Sequence, residues 1–220
     1  MSTVYNNESE KYQHSPKSCG YASDTAHLSR LNIMKRWLDY DQLKKKKVLD
    51  IGCGIGLMTQ PLIESNHVWG VDISNGLLQL AMANGLRTLA ASADLLPFGD
   101  DSFDIVLCVG VIPYYEKPDE IFSEICRVIK PGGRIVITAT TGSLLIKAVR
   151  YLKILLGGTS QLVRLYSAKE IADILIPMGY DVLDSSVAYG GRVASLADGR
   201  IGLRFRIFAR VAAVLATVPE

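Results

Sequence analysis

The residues with the clearest chemical potential surround one glycine-rich turn. Asp50 precedes the pattern Gly-Cys-Gly-Ile-Gly at residues 52–56, and a second acid, Asp72, comes 20 residues after Gly52. Glycines allow positive φ angles and let a ligand approach the backbone without a Cβ in the way. A carboxylate directly before such a turn repels a pyrophosphate but favours an ammonium group, directly or through water. The turn therefore favours a ligand with a cationic amino acid at one end over a dinucleotide.

Asp72 ends an apolar run and is followed by Ser74, which we expect to cap the next helix. In a βαβ unit, an acid about 20 residues after the glycine turn can accept hydrogen bonds from ribose hydroxyls. Taken singly, Asp50 and Asp72 would each also suit a loop cap or a strand end. Their combination with the glycine turn predicts a pocket for a ribose that carries an amino acid.

The elements that must position these residues are visible as alternating apolar runs and helical patterns. Continuous apolar runs separated by helices predict a parallel sheet that is covered on both faces, with right-handed crossovers. We therefore expect an α/β fold with a doubly wound, Rossmann-like, seven-stranded and mostly parallel sheet. The predicted strands are 48–51, 67–71, 87–90, 103–109, 134–138 and 180–188, with a further strand or helix in 203–218. The predicted helices are 26–42, 57–65, 75–83, 119–129 and 167–178.

The length of 220 residues predicts a single domain. A polar arm and a helix come first, and a cationic, amphipathic segment, which we interpret as a helical lid, follows the fifth strand. Packing against the core, or on a membrane surface, is the alternative for that segment. The subdivisions are 1–42 for the arm and helix, 45–140 for the cofactor-binding core, 141–166 for the lid insertion and 167–220 for the C-terminal helix and strands.

Composition excludes several classes of protein. Hydrophobic residues make up 49% and charged residues 21% of the chain, so wholesale disorder is excluded. A net charge of +2 speaks against nucleic acid as a partner. The four cysteines and three histidines are scattered without zinc spacing, so we expect no metal. With no apolar stretch suited to a signal peptide or a membrane span, we expect a cytoplasmic protein, either monomer or homodimer.

Four motifs in order resemble the class I S-adenosylmethionine-dependent methyltransferases. They are VLDIGCGIG at 48–56, VWGVDIS at 68–74, SADLLPFGDDSFDIVLC at 92–108 and RVIKPGGRIVIT at 127–138. The resemblance covers about residues 45–190 and is greatest to the small-molecule branch, which includes ubiquinone/menaquinone-biosynthesis and natural-product methyltransferases. It implies S-adenosylmethionine as cofactor and a small, aromatic or lipophilic acceptor, with O-methylation favoured and N- or C-methylation close behind.

The resemblance also assigns roles to individual residues. Gly56 would allow close packing of turn and helix, and Tyr21 would cover the cofactor. Many relatives carry Asp where this chain has Ser92, so we expect the hydrogen bond to the adenine amine to be weaker or to shift to Asp94. The residues that would face the methionine part are Asp50, Gly52, Cys53, Gly54, Cys108 and Val109. Those that would meet the ribose and the base are Asp72, Ile73, Ser92, Ala93, Asp94 and Leu95.

A catalytic base is harder to assign. Many relatives carry a histidine shortly after the fourth strand, whereas this chain reads Val-Ile-Pro-Tyr-Tyr at 111–115. The candidates are Tyr114 or Tyr115, which would orient the acceptor, and His14 or His27, which would act as a base if the N-terminal region covers the site. Two other interpretations stay open: a catalytically silent methyltransferase-like partner module, and a nucleotide-dependent oxidoreductase on a similar sheet.

Overall fold

The computed structural model describes residues 24–141, 164–189, 192–195 and 211–219, together with positions 152 and 155. Within them, four helices and eight strands form an α/β sandwich. The helices are α1 (Asp24–Leu38), α2 (Asn75–Ala83), α3 (Pro118–Val128) and α4 (Ala168–Leu175). The strands are β1 (Lys47–Ile51), β2 (His67–Asp72), β3 (Arg87–Ala90), β4 (Phe103–Val109), β5 (Ile129–Thr140), β6 (Asp181–Tyr189), β7 (Arg192–Ser195) and β8 (Val211–Thr217).

The sheet has the order β3-β2-β1-β4-β5-β8-β6-β7. The first five strands in this order pair in parallel, and β8, β6 and β7 complete the sheet through antiparallel pairs. The prediction of a seven-stranded, mostly parallel sheet is confirmed, with the short β7 added at one edge. In the tail 203–218, which the sequence left open, Val211–Thr217 forms β8, between β5 and β6. Residues 203–210 lie outside the described residues.

Both faces of the sheet are covered, as the continuous apolar runs predict. Val48 of β1 packs in one core with Met34 of α1 and Leu78 of α2. Its neighbour Leu49 points to the opposite face and packs in a second core with Phe122 of α3. Because successive strand residues alternate between faces, a strand that is buried on both sides must be apolar throughout. The sandwich holds the carboxyl ends of β1–β4 along one edge.

The predicted helix over 57–65 is wrong. The segment forms turns around a short 3-10 helix, Gln60–Leu62. Pro61 has no amide hydrogen to donate, and the bonds on either side of it run from Leu62 to Thr59 and from Ile63 to Gln60, three residues back. The proline therefore prevents a regular α-helix at a position where the apolar pattern alone favours one.

Helix ends follow local chemistry. The first helix was expected to reach residue 42 but ends at Leu38, because Asp39 has a positive φ of 48° and its carbonyl accepts from the amides of Gln42 and Leu43. Ser167 caps α4 in a capping box with Glu170, as expected for a serine before an apolar helix.

No helix in the described part of the chain is long and apolar enough to cross a membrane.

Candidate cofactor crevice

One crevice runs along the carboxyl ends of the parallel strands and takes up about 690 Å³, including the part that opens to solvent. The sheet order fixes the sequence of groups along it, from the tip of β3 past β2 and β1 to the tip of β4. In open α/β sheets, ligands bind at this edge, where the strand order reverses. The residues that line it are Gly52, Cys53, Gly54, Asp72, Ile73, Leu77, Ala91, Ala93, Val109, Gly110, Val111, Tyr114 and Tyr115.

The turn after β1 depends on glycine. Gly52, Gly54 and Gly56 all have positive φ angles, between 55° and 81°. The amides of Gly52 and Cys53 both donate to the carbonyl of Val71, at 2.8 and 3.0 Å, so the turn folds back onto β2. A Cβ at Gly52 would collide with Cγ2 of Val111. The turn therefore presents bare backbone to the crevice.

Asp72 lies at the tip of β2 with its carboxylate already oriented. The amide of Gly54 donates to Oδ2 and the amide of Ser74 donates to Oδ1, each at 2.9 Å. Burial raises the pKa of Asp72, and these backbone hydrogen bonds act in the opposite direction. A third backbone hydrogen bond comes from Ile73. The two carboxylate oxygens have four lone pairs between them, so the three amides leave acceptor capacity for a ligand hydroxyl.

Asp50 lies beneath the turn and not on the wall of the crevice. Its side chain is 1% exposed, and Oδ2 accepts a hydrogen bond of 3.1 Å from the hydroxyl of Thr59. Burial raises the pKa of Asp50 to about 7; the Thr59 hydrogen bond lowers it, and the charge of Asp72 raises it further. The sequence predicts that Asp50 faces the ligand directly. In the structure it lies beneath the floor of the crevice instead.

The tip of β4 carries a cation that the sequence did not reveal. Arg30 of α1 is 5% exposed, and its Nε donates to Oγ1 of Thr138 on β5 at 3.3 Å. Its guanidinium also lies against Gly110, where a Cβ would be 3.7 Å from Nε. A buried positive charge thus stands at the end of the crevice opposite to the tip of β3.

Cys108 is fully buried below the crevice. Burial raises the pKa of its thiol to about 12, and the charge of Asp50 contributes to the increase. A thiolate is the nucleophilic form of cysteine, so this thiol is suited to packing and not to nucleophilic attack.

Part of the predicted site gathers at the crevice. The predicted residues that line it are Gly52, Cys53, Gly54, Asp72, Ile73, Ala93, Val109 and Tyr114. Those that do not are Asp50, Gly56, Ser92, Asp94, Leu95, Cys108 and His27. Leu95 is 76% exposed, and His27 is buried within α1. A Cβ at Gly56 would lie 3.1 Å from Leu86 Cδ2 and 3.9 Å from the Cβ of Ala81, which agrees with a packing role. His14 and Tyr21 lie outside the described residues.

Sequence reasoning missed other wall residues. Leu77 and Ala91 follow the tips of β2 and β3, so the strand prediction itself contained the signal that places them there. Gly110 and Val111 continue β4 in the same way. Arg30 carried no local signal, because only the packing of α1 on the sheet brings it to the tip of β4.

Comparison with known proteins agrees with this geometry. Residues 49–137, which run from β1 into β5 and include all the described residues that line the crevice, match the family described as a methyltransferase domain. The match is confined to this part of the chain, which holds the glycine turn and Asp72. The chain spans about half the length of several curated relatives that it matches.

Individual relatives carry the same indication. The chain is 28% identical over 165 residues to the ubiquinone biosynthesis O-methyltransferase of Xylella fastidiosa. The alignment covers 66% of each chain. It is 38% identical over 98 residues to the demethylmenaquinone methyltransferase of Clavibacter sepedonicus. This alignment covers 42% of this chain and 40% of that one. The magnesium protoporphyrin IX methyltransferase of Synechocystis, solved with bound S-adenosylhomocysteine, shares the fold with a TM-score of 0.72 at 16% identity, over 99% and 95% of the two chains.

S-adenosylmethionine is the cofactor of this family, and the residues of the crevice fit it. Ile73 and Leu77 offer an apolar surface for a base on one side of the oriented Asp72 carboxylate. On the other side, the turn at Gly52 leaves its backbone open to a methionyl chain. The order base, ribose and amino acid is the order in which the strand tips stand.

Proposed function

We propose that the protein transfers a methyl group from S-adenosylmethionine to a small, aromatic or lipophilic acceptor, with an oxygen as the favoured acceptor atom. One observation supports this most directly: the oriented carboxylate of Asp72 stands between a bare-backbone turn and an apolar pocket. A diol-binding acid at that point suits a nucleoside, and Asp50 beneath the turn favours one that carries a cationic amino acid over one that carries a pyrophosphate.

The contribution of the protein to such a reaction is mainly positional. The bound cofactor supplies a methyl group on a sulfonium, which is already activated for displacement. Asp72 fixes the ribose, and the turn at Gly52 fixes the amino-acid chain, so the direction of the reactive methyl follows from two anchors. Holding two reactants in line can contribute about 7–11 kcal/mol to catalysis. The carboxylate of Asp50 below the floor favours a cationic ligand over a neutral one.

The acceptor side is proposed to lie over the tips of β4 and β5. Tyr114 lines the crevice there, at the end of the 3-10 helix Ile112–Tyr114, and we assign to it the orientation of the acceptor. The amide of Arg164, at the end of the 141–166 insertion, donates to the carbonyl of Pro113 at 3.3 Å. This contact places Arg164 beside the segment that carries Tyr114, which supports the proposal that the insertion is a wall for the acceptor. Residues 142–163 of the insertion, apart from positions 152 and 155, lie outside the described residues.

Two of the relatives support an acceptor of this kind. The Xylella fastidiosa protein is named for O-methylation in ubiquinone biosynthesis, and the Clavibacter sepedonicus protein for demethylmenaquinone methylation. We therefore propose a phenol or a quinol as the first class of acceptor to examine.

The experiment that tests the proposal has two parts. Isothermal calorimetry with S-adenosylhomocysteine and with NADH asks which nucleotide the crevice binds, and binding of NADH alone would refute the proposal. Transfer of a radiolabelled methyl group from S-adenosylmethionine to catechols, quinols, alcohols and amines then identifies the acceptor class. Tight cofactor binding without transfer to any acceptor would favour a catalytically silent module.

A further inference from the structure

A chain of hydrogen bonds closes the crevice at the tip of β3. The amide of Ala93 donates to the hydroxyl of Tyr115 at 3.3 Å, and this hydroxyl lies 3.2 Å from Oγ of Ser92. Oγ of Ser92 in turn donates to Oδ1 of Asp94. Three side chains and one amide are therefore connected at the end of the crevice where the base is expected.

Tyr115 reaches this point from the other side of the crevice. It follows β4 directly after the 3-10 helix Ile112–Tyr114, and its amide donates to the carbonyl of Ile112 at 3.2 Å. Since β4 is separated from β3 by β1 and β2, the side chain of Tyr115 brings a hydroxyl from the β4 segment to the loop after β3. Both Tyr115 and Ala93 line the crevice, so the contact between them forms part of its wall.

The direction of these bonds follows from the number of hydrogens available. A carboxylate has no hydrogen to give, so Ser92 must donate its single hydroxyl hydrogen to Asp94. Ser92 then has only lone pairs left for Tyr115, and Tyr115 must donate to it. Tyr115 has two lone pairs, of which the Ala93 amide takes one. The remaining group that the tyrosine can offer to a ligand is an acceptor lone pair.

We propose that the Tyr115 hydroxyl reads the exocyclic amino group of the purine and selects adenine against hypoxanthine. The inference rests on the proposed function, because it assumes that a nucleoside occupies the crevice. Adenine presents an amino donor at its 6-position, which pairs with the acceptor on Tyr115. Hypoxanthine presents an oxygen there, which would meet that lone pair and repel it. Many relatives carry an aspartate where this chain has Ser92, and the Ser92 hydroxyl donates to Asp94. Tyr115 thereby supplies the acceptor for the base in place of that aspartate.

The test compares two ligands that differ only at this position, S-adenosylhomocysteine and S-inosylhomocysteine, by calorimetry on the full chain. We expect the wild-type protein to prefer the adenosyl ligand. Tyr115→Phe should weaken adenosyl binding by about tenfold, as expected when one hydrogen bond of about 1–1.5 kcal/mol is lost. Binding of the inosyl ligand should stay the same or tighten, because the lone pair that repels its oxygen is removed, so the preference falls by a factor of about ten or more.

Tyr180→Phe is the matched control, because Tyr180 is a buried tyrosine that lies beside Cys126 and does not line the crevice. It should leave both affinities unchanged. If Tyr115→Phe tightens adenosyl binding, the tyrosine blocks the Ala93 amide and does not read the base, and the inference is overturned. An equal change for both ligands would also overturn it. Failure of the wild-type protein to bind either ligand would instead refute the proposed function.

Discussion

The amide of Gly54 lies 2.9 Å from Oδ2 of Asp72, so the glycine turn after β1 and the acid that ends β2 form one rigid unit. The second oxygen of Asp72 is held by Ser74, which also caps α2 by accepting from the amide of Leu77. Ligand binding and local structure therefore depend on the same carboxylate.

Replacement of Asp72 by alanine should weaken the binding of S-adenosylhomocysteine by at least a hundredfold. Two ribose hydrogen bonds to a charged group are lost, at about 1.5–3 kcal/mol each. Calorimetry on the variant measures the change. Asp104→Asn is the control, since Asp104 pairs with Lys130 on β5, away from the crevice, and its loss should leave the affinity unaltered. An unchanged dissociation constant for Asp72→Ala would contradict the assigned role.

Gly52→Ala should reduce stability more than an alanine at another glycine of similar conformation. Both Gly52 and Gly85 have positive φ, at 67° and 87°, but only at Gly52 does a Cβ meet another atom, Cγ2 of Val111. We expect about 1 kcal/mol for Gly85→Ala from backbone strain alone. Gly52→Ala should cost about 2–4 kcal/mol because overpacking adds to this strain.

A double variant separates these two contributions. Adding Val111→Ala to Gly52→Ala removes the colliding methyl groups and should recover the steric part of the loss, while the backbone part remains. Urea unfolding of the single and double variants gives the coupling between the two sites. Strict additivity would show that the collision plays no part.

The pKa of Asp50 leads to a prediction about pH. Its native pKa is raised to about 7 from the ordinary value of 3.8, mainly by burial. Between these two values the native state retains a proton that the unfolded state has released, so the free energy of unfolding of the ligand-free protein should fall as the pH rises from about 4 to 7. Asp50→Asn removes this dependence and should stabilise the ligand-free protein by about 1–3 kcal/mol at pH 8.

Urea unfolding at pH 5 and pH 8 measures the effect for the wild type and the variant. Asp173→Asn is a suitable control, because Asp173 is half exposed and pairs only with Lys169 on the surface of α4 in the described structure. The same variant at position 50 should weaken the binding of a cationic ligand, since the negative charge below the floor is lost. A pH dependence that persists unchanged in Asp50→Asn would show that another group causes it.

The sequence was sufficient for the parts of the molecule that depend on local pattern. The strand ends that carry Gly52 and Asp72 follow from continuous apolar runs, and the glycine turn follows from residue type alone. The helix over 57–65 was predicted wrongly, because an apolar pattern was given more weight than Pro61, which removes a donor. Arg30 contacts Thr138 and Tyr115 contacts Ala93 across 108 and 22 residues of sequence, and no local pattern contains such information.

Arg30 provides a last prediction, on the amino-acid end of the ligand. Its buried guanidinium lies against Gly110 and donates to Thr138, so a positive charge stands where the sheet order places the methionyl carboxylate. Arg30→Gln should weaken the binding of S-adenosylhomocysteine by about tenfold or more, because a hydrogen bond or ion pair between two charged groups is lost. Methylthioadenosine has the same base and ribose but no carboxylate, so its affinity should be unaffected. Thr138→Val, which removes only the neutral partner, should lower stability by about 1 kcal/mol with little effect on either ligand. An equal loss for both ligands in Arg30→Gln would mean that the arginine supports the fold and does not contribute to recognition of the carboxylate.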